Sequence, residues 1–306
     1  MSTSTRTRYK TRYKDVPPWM GKPSTPGLIV KYVVIAIILA LVIYPFWTVV
    51  ATSLANQTDI SSAGGLVIWP NHPTLISYAT ILQGGVVTQA LLVSTGITLV
   101  GTLCSVMCSV AIAYGLSRPG SFGHRPILMI VLLTMLFSAG IIPNFLVVKE
   151  IGLLDHYAAL IVPVLINAFN VVVLRNFFMG IPQELIDSAR IDGAGDLTIL
   201  LRIVLPLSKA VVAVVALFEA VAYWNAFFNA MLYLNDATKW PLALILRQYV
   251  LQGQPAAGSN LPLDAMAPQD GIQMAVVVIA VVPILIVYPF LQRFFTKGVL
   301  TGAVKG

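Results

Sequence analysis

Six long apolar runs constrain what this chain can fold into more than any other feature. They are Leu28–Val50, Val87–Tyr114, Ile127–Val148, Tyr157–Phe178, Ala210–Leu234 and Ile272–Phe295. Each is close to the roughly 20 residues that a helix needs to cross a bilayer. An isolated strand cannot satisfy its backbone hydrogen bonds in lipid, so each run is predicted to be a helix. The sequence therefore predicts an all-α, polytopic membrane protein with six transmembrane helices.

The distribution of basic residues predicts the orientation of these helices. With the N-terminus inside, sixteen of the 19 Lys and Arg residues lie on the inner side, and only Lys149, Lys239 and Arg247 lie outside. Cytoplasmic loops carry such an excess of positive charge, which places both termini in the cytoplasm. Residues 1–28 are then a basic cytoplasmic arm, and residues 29–306 form the membrane domain. The net charge of +7 is explained by the basic residues that flank the membrane spans and does not indicate a nucleic-acid-binding protein.

Prolines lie within or beside several of the predicted spans. They are Pro45, Pro143, Pro163, Pro283 and Pro289. Proline removes a backbone donor and kinks a helix, but neighbouring helices in a membrane protein can satisfy the freed carbonyl groups. The prolines therefore predict kinks in spans one, three, four and six.

Few residues suggest chemistry within the membrane. Cys104 and Cys108 are one helical turn apart in an apolar run, as expected of packing residues. His72, His124 and His156 are scattered and lack metal-ligand spacing. A phosphate-binding loop and a serine nucleophile motif are also missing from the sequence. We therefore expect a protein that is not an enzyme and binds no metal or cofactor.

Glu219 is the charged residue placed well inside a predicted span. A carboxylate there costs about 2.5–3.5 kcal/mol on the insertion scale, so it should face a cavity or a partner group. On a continuous helix, five small or polar residues fall within one arc of roughly 120°, namely Glu219, Ala222, Asn225, Ala226 and Asn229. This stripe suits a pathway for a hydroxyl-rich solute, but the same residue types also hold helices together.

Other polar and aromatic residues extend the same hypothesis. Asn167 and Asn170 lie three residues apart and would share a face of span four. Tyr223 lies about 40° from Glu219 on a helical wheel and could border the pathway. Trp224 points away from this arc and is expected to pack. The predicted pathway residues are therefore Asn167, Asn170, Glu219, Tyr223, Asn225 and Asn229.

A half-polar segment, residues 181–207, separates spans four and five. Pro182 suits the first turn of a helix, and Glu184 places negative charge at its positive end. Gly193 stands where a helix would end with a positive φ, and Asp196 could cap a second helix, Leu197–Val204, that stops before Pro206. We predict a helix, a glycine turn and a second helix on the cytoplasmic side.

Residues 181–207 resemble the EAA loop of ABC-importer permeases, which couples the permease to its ATPase, and we call them the coupling segment. That loop has the pattern EAA, three residues, G, nine residues, and then IxLP. Here Asp187-Ser188-Ala189, Gly193 and Ile203-Val204-Leu205-Pro206 match every interval, with Asp for Glu and Ser for the first Ala. The extended pattern EAAxxDGA is matched by Asp192-Gly193-Ala194. Residues 223–229 are similar to the fifth-helix region of carbohydrate-uptake permeases, and residues 137–143 resemble the third span of permeases for oligosaccharides.

This resemblance implies a fold, partners and docking residues. The fold would be that of an ABC-importer permease in the bacterial inner membrane. It would pair with a second, related permease, two ATPase subunits that use the ATP, and an external solute-binding protein that delivers a carbohydrate. The implied ATPase-docking residues are Asp187, Ser188, Ala189, Asp192, Gly193 and Ala194.

Two points stay open at the level of sequence. A secondary transporter or channel for a polar solute is the alternative function, although such proteins often carry internal repeats or more intramembrane charge. The outer loop, residues 235–271, could contact a solute or an external partner, or could be a passive connection.

Overall fold

The computed structural model describes residues 25–83, 85–118, 120, 123–252 and 268–303, and the regular structure there is helical, without strands. The helices are α1 (Thr25–Ser53), α2 (Gln57–Ala63), α3 (Ile76–Gln83), α4 (Val86–Ser117), α5 (His124–Leu136), α6 (Ile141–Glu150), α7 (Ala158–Ile161), α8 (Ala168–Met179), α9 (Gln183–Ile191), α10 (Asp196–Ile199), α11 (Leu205–Leu207), α12 (Lys209–Trp224), α13 (Phe227–Tyr233), α14 (Leu242–Gln252) and α15 (Gln269–Ala303). The chain divides into two compact units, residues 1–47 and 48–306. Most of the predicted arm, residues 1–24, lies outside the described residues.

Three predicted spans are continuous helices. They are α1 with 29 residues, α4 with 32 residues, and α15, which is apolar from Gln269 to Pro289. At a rise of 1.5 Å per residue, α4 is about 48 Å long and exceeds the roughly 30 Å hydrocarbon core. The prolines within α1 and α15 do not end these helices. The first, second and sixth spans are thus confirmed as long apolar helices.

The third predicted span is not one helix. Helix α5 ends at Leu136, the non-helical residues 137–140 follow, and α6 then runs at 120° to α5. Gly140 has a φ of +84°, a conformation that glycine adopts readily. Pro143 is not the cause of the bend, because it is the third residue of α6. A backbone N–H there would have no partner within the helix.

The fourth predicted span is interrupted as the proline pattern suggested. Pro163 lies in a short 3₁₀ turn, Val162–Val164, that ends the first helical segment, and the segments 158–164 and 168–179 are bent by 52° at the break between them. Helix α8 starts after Asn167, whose side-chain oxygen accepts hydrogen bonds from the backbone N–H groups of Phe169 and Asn170. The helical part of this span is therefore shorter than predicted.

Helix α12 packs against α4, α8 and α15. The buried face of α4 carries mostly small side chains at intervals of three or four residues. They include Ala90, Ser94, Gly101, Ser105, Ser109 and Ala113. Small residues let neighbouring helix backbones approach closely in a membrane, where lipid contributes no hydrophobic driving force between helices. Among the described helices, α8, α12 and α14 all pack against α4.

Polar contacts at the two ends of α4 identify what lies there. Near its start, Ser94 accepts a hydrogen bond from the backbone N–H of Leu242 at 2.7 Å, which places α14 at that end. At its other end, Tyr114 donates to the backbone oxygen of Asp196 at 3.0 Å. The coupling segment and α14 therefore lie at opposite ends of the helical core.

Asp155 joins two connections at the α14 end. Its carboxylate accepts hydrogen bonds from the backbone N–H groups of Asp236 and Asn235, and Lys239 Nζ lies 3.1 Å from Oδ2. The Asp236 N–H and then Lys239 hold the pKa of Asp155 below its ordinary 3.8, and Asp155 raises the pKa of Lys239 above 10.5. Asp155 has a left-handed φ of 62°, and its N–H donates to the backbone oxygen of Tyr233. This cluster fixes the α6–α7 connection to the α13–α14 connection.

Candidate coupling segment and solute pathway

The first half of the coupling segment is helix α9, which starts after Pro182 with Glu184 in its first turn. Gly193 has a φ of +81°, as its place in the sequence predicted. Its N–H donates to the Arg190 oxygen at 3.0 Å, and the Ala194 N–H donates to the Ala189 oxygen at 2.9 Å. These two bonds form a Schellman motif, in which glycine supplies the left-handed residue that ends the helix.

The second half differs from the prediction in two respects. Gly195, not Asp196, is the N-cap of α10, so the Asp196 side chain is available to pair with Arg118. The helix also does not stop before Pro206. It passes through a π-helical turn, Leu200–Val204, and ends at Leu207. A π turn widens the helix just before the proline, where the ring would otherwise collide with a carbonyl of the preceding turn.

The coupling segment is held against α4 and α8. Arg118 at the end of α4 pairs with Asp196 and lies over the Tyr114 ring, with its guanidinium carbon 4.2 Å from the ring centroid. Ile199 and Val204 are buried in a core with side chains of α4 and α8. After Ser208, helix α12 departs at 86° to the 196–207 helix. A displacement of this segment would therefore act directly on α4, α8 and α12.

The outer face of the coupling segment exposes both polar and large apolar groups. Ile191 is 87% exposed, Leu197 68% and Leu185 44%. Of the six predicted docking residues, Asp187, Ser188, Asp192 and Gly193 are exposed, whereas Ala189 and Ala194 are half-buried and pack against the core. Exposed apolar side chains beside polar ones are typical of a surface that contacts another protein.

Glu219 is buried within the chain and has a defined partner. Its Oε1 accepts a hydrogen bond of 2.6 Å from Asn170 Nδ2, which joins α12 to α8. Both side chains are at most 4% exposed. A carboxylate at this position was expected to face a cavity or a partner group, and in the structure it faces a partner, Asn170. Asn167, by contrast, is exposed at the start of α8, so the two asparagines do not share one wet face.

Tyr223 is also buried, and it packs against α4. Its hydroxyl lies 2.7 Å from Ser105 Oγ, and its ring covers Gly101 so closely that an added Cβ there would lie 2.8 Å from ring carbons. Trp224 packs as expected, and its Nε1 donates to the backbone oxygen of Ala280 on α15. In this conformation Tyr223 is a contact between α4 and α12.

The predicted polar stripe on a continuous fifth helix is wrong. Helix α12 ends at Trp224, and α13 begins at Phe227 after a break at Asn225 and Ala226. Asn225 Nδ2 donates back to the Val221 oxygen at 2.8 Å, which satisfies a carbonyl at the end of α12. The break exposes Asn225 and leaves Asn229 half-buried on the short helix that follows. Helical spacing could not reveal this break, because neither proline nor glycine marks it.

Two other contacts at the α14 end were not predicted from the sequence. One is the cluster around Asp155, whose partners are about 80 residues away in the chain. The other is Arg247, whose guanidinium carbon lies 5.0 Å from the centroid of the Phe227 ring. Arg247 is on α14, within what the sequence suggested was an outer loop. The sequence showed Arg247 as one of three basic residues predicted to lie outside, but it did not reveal the aromatic partner.

Comparisons with known proteins agree with this architecture. Residues 105–301 match the family model described as "Binding-protein-dependent transport system inner membrane component". The chain belongs to this family of ABC-importer permeases. It is 46% identical over 266 residues to the polygalacturonan/rhamnogalacturonan transport system permease protein YtcP of Bacillus subtilis (strain 168), with 86% of this chain and 93% of that protein covered. It is 44% identical over 268 residues to protein LplC of the same organism, covering 87% and 90%.

A solved structure shows the same fold. The chain superposes with a TM-score of 0.82 and 30% identity on a chain from a bacterial ABC transporter involved in the import of the acidic polysaccharide alginate. The alignment covers 87% of this permease and 95% of that chain. The predicted fold class and family resemblance are therefore confirmed. The protein is an inner-membrane permease subunit, and this family is one of transporters, not of enzymes.

Proposed function

We propose that this permease forms the membrane pathway of an ATP-driven importer for oligosaccharides. It would pair with a second, related permease, two ATPase subunits and an external solute-binding protein. The 46% identity to a permease whose name refers to polygalacturonan and rhamnogalacturonan supports a carbohydrate solute. The binding-protein-dependent family favours this function over that of a secondary transporter or channel. The chain itself is expected to bind no cofactor, since the ATP would be used by the partner ATPase.

The proposed orientation places both termini and the coupling segment in the cytoplasm. The sixteen-to-three distribution of Lys and Arg supports it. Arg118 and the coupling segment, which carries Arg190, lie together at one end of α4. This is expected if both lie on the cytoplasmic side of the membrane. In a cysteine-free background, a single cysteine at Ser188 should resist an impermeant maleimide in intact cells, and one at His72 should react. The reverse pattern would overturn this orientation.

The observation that carries the proposed coupling is the exposed face around Gly193, fastened by Arg118 and Asp196 to the core helices. A partner bound to this face would have a short, rigid path to α12, which carries Glu219. ATP can bias the permease between two conformations only through contacts that differ between them. A coupling segment held at one end by an ATPase and at the other by α4 and α8 supplies such contacts.

We expect that Gly193→Trp leaves the permease in the membrane but prevents ATPase docking. Indole bulk would cover the exposed face, and any residue but glycine is strained at a φ of +81°, by about 1–2 kcal/mol. Gly193→Ala carries the strain without the bulk. Gly64→Trp is a matched control, because Gly64 also ends a helix with a positive φ and a Cβ added there would meet no atoms within 4 Å.

The measurements are co-purification of the ATPase and solute-stimulated ATP hydrolysis. Gly193→Trp should reduce both by about tenfold or more, as expected for the loss of at least about 1.4 kcal/mol of interaction. Gly193→Ala and Gly64→Trp should retain ATPase co-purification. If Gly193→Trp assembled normally and still coupled solute to hydrolysis, the docking role of this face would be wrong.

For the solute pathway, we propose that the break between α12 and α13 supplies the exposed polar groups. Asn225 is exposed there and Asn229 lies one turn further along α13, so both amides can meet solute hydroxyl groups. Asn167 presents a further exposed side chain at the break before α8. Glu219 with Asn170, and Tyr223 with Ser105, join the neighbouring helices and set the position of the break.

A further inference from the structure

An arginine lies beside the break in span five and is held by an aromatic ring. The Arg247 guanidinium carbon is 5.0 Å from the Phe227 ring centroid, and Nη1 is 3.4 Å from Met231 Sδ. Among the described residues, its guanidinium has no carboxylate within 4.0 Å. Lys239, a cation at the same end, is instead paired with Asp155. The guanidinium of Arg247 is therefore oriented by two neutral groups, Phe227 and Met231, and its charge is not neutralised by either of them.

Arg247 lies beside exposed aromatic rings at the start of α13, where the break also exposes an amide side chain. Phe227 begins α13 directly after the break, and its ring meets that of Phe228 edge-to-face at 6.4 Å. Both rings are more than one-third exposed. The Phe227 N–H donates to the backbone oxygen of Asn225, whose side chain is exposed on the same break. A cation and two aromatic rings therefore lie next to one another, and an exposed amide side chain lies two residues before Phe227 in the chain.

This combination matches one class of solute. A guanidinium forms two parallel hydrogen bonds with a carboxylate, and stacking on an aromatic ring holds its plane without neutralising it. Aromatic faces pack against the C–H faces of sugar rings, and amides bond to hydroxyl groups. A uronic acid unit presents a carboxylate, a ring face and hydroxyl groups together. A neutral sugar would leave the arginine without a partner.

We infer that the solute is an acidic, uronate-containing oligosaccharide and that Arg247 binds its carboxylate as it passes the break. This inference rests on the proposed function, because it assigns a charge to the solute of the same pathway. It makes Arg247 a residue that selects acidic over neutral oligosaccharides.

The test uses the complete importer with its second permease, ATPases and binding protein in proteoliposomes. The probes are trigalacturonate and its fully methyl-esterified form, which has the same rings without charge. Arg247→Met keeps an apolar contact with Phe227 and Met231 but removes the charge, and Arg247→Lys keeps the charge. Lys149→Gln is the control, since Lys149 is an exposed cation at the end of α6. Each variant is compared with the unaltered importer, so any charge preference of the binding protein cancels.

The expected result is a loss of solute-stimulated ATP hydrolysis for the charged probe only. Arg247→Met should lower solute-stimulated hydrolysis per unit of solute concentration by about tenfold or more for trigalacturonate, and by less than about twofold for the ester, because only the charged probe loses a charge-assisted pair. Arg247→Lys should recover part of the loss, and Lys149→Gln should resemble the unaltered importer. Equal effects of Arg247→Met on both probes, or none on either, would overturn the role of Arg247. If the unaltered importer responded to no oligosaccharide, the proposed function itself would fail.

Discussion

Gly101 offers a sharp test of how α4 and α12 are packed. An alanine Cβ at this position would lie 2.8 Å from Cε1 and Cζ of Tyr223. Carbon atoms are in favourable contact at about 3.5–4.0 Å, so the ring would have to move by about 0.7 Å or more. The ring is buried, and its hydroxyl is bonded to Ser105 at 2.7 Å. Gly101→Ala is therefore expected to overpack the interface.

The change in stability caused by Gly101→Ala is the sum of two opposing effects. Replacing glycine by alanine within a helix stabilises it by about 0.8–1 kcal/mol, whereas overpacking a filled interior costs about 1–3 kcal/mol. Gly96 lies on the same helix, and a Cβ added there has no atoms within 4 Å. The propensity effect is common to both positions, so Gly101→Ala should be less stable than Gly96→Ala by about 1–3 kcal/mol.

The assay is thermal unfolding of the purified importer in nanodiscs, followed by the intrinsic fluorescence of the permease or by aggregation. A difference of about 1 kcal/mol corresponds to about 2–4 °C in the unfolding midpoint for chains of roughly this size. Gly96→Ala should leave the midpoint unchanged or raise it, and Gly101→Ala should lower it relative to Gly96→Ala by several degrees.

A double-mutant cycle identifies the cause of the difference. In a Tyr223→Ala background, the ring is gone and Gly101→Ala should behave like Gly96→Ala. Steric conflict with the ring would be refuted as the cause if Gly101→Ala remained destabilising without it, or if both glycine substitutions shifted the midpoint equally in the unaltered background.

Two further predictions concern polar contacts. Glu219→Ala leaves the buried Asn170 amide without its acceptor and should lower the free energy of unfolding by about 1–3 kcal/mol, whereas Glu219→Gln keeps an acceptor oxygen. Solute uptake should change more than assembly with the ATPase in Glu219→Ala, and unchanged uptake kinetics would make Glu219 purely structural. Since the pKa of Asp155 is lowered below 3.8 and that of Lys239 is raised above 10.5, both groups are charged at neutral pH, and their contact should be lost as the pH falls through the lowered pKa of Asp155. The backbone amide of Asp236 should then become more protected from hydrogen exchange as the pH rises through that pKa. Asp155→Asn should abolish this pH dependence. If both proteins showed the same pH dependence, the proposed contact with the Asp155 carboxylate would be contradicted.

The coupling segment was largely predictable because its signals are local. Pro182, Glu184 and Gly193 act through their own backbone conformation or through groups within one helical turn, so their roles were apparent from spacing. The errors arose where a distant partner or an unusual turn intervened. Asp196 was expected to cap its own helix, but Arg118 from the end of α4 binds its side chain. Pro206 was expected to end the helix, but the preceding π turn accommodates it.

The pathway residues were harder to assign. Burying a carboxylate is costly, so Glu219 required a partner or a cavity, and Asn170 is that partner. Which partner it has depends on the packing of α8 against α12, which spacing within one helix does not reveal. The polar stripe assumed a continuous helix, and the break at Asn225 removes that assumption. Arg247 was visible only as one of few outer cations until its contact with Phe227 was known.

By itself the sequence determined that this protein is a helical membrane permease with a structured segment between spans four and five. Hydrophobic length and the need to satisfy the backbone in lipid decide the first, and local capping chemistry decides the second. Only the tertiary structure decided where spans three and five break, which groups Glu219 and Asp196 bind, and that Arg247 stands beside the break in span five. Those outcomes depend on contacts between residues far apart in the chain, whose free energies no local pattern encodes.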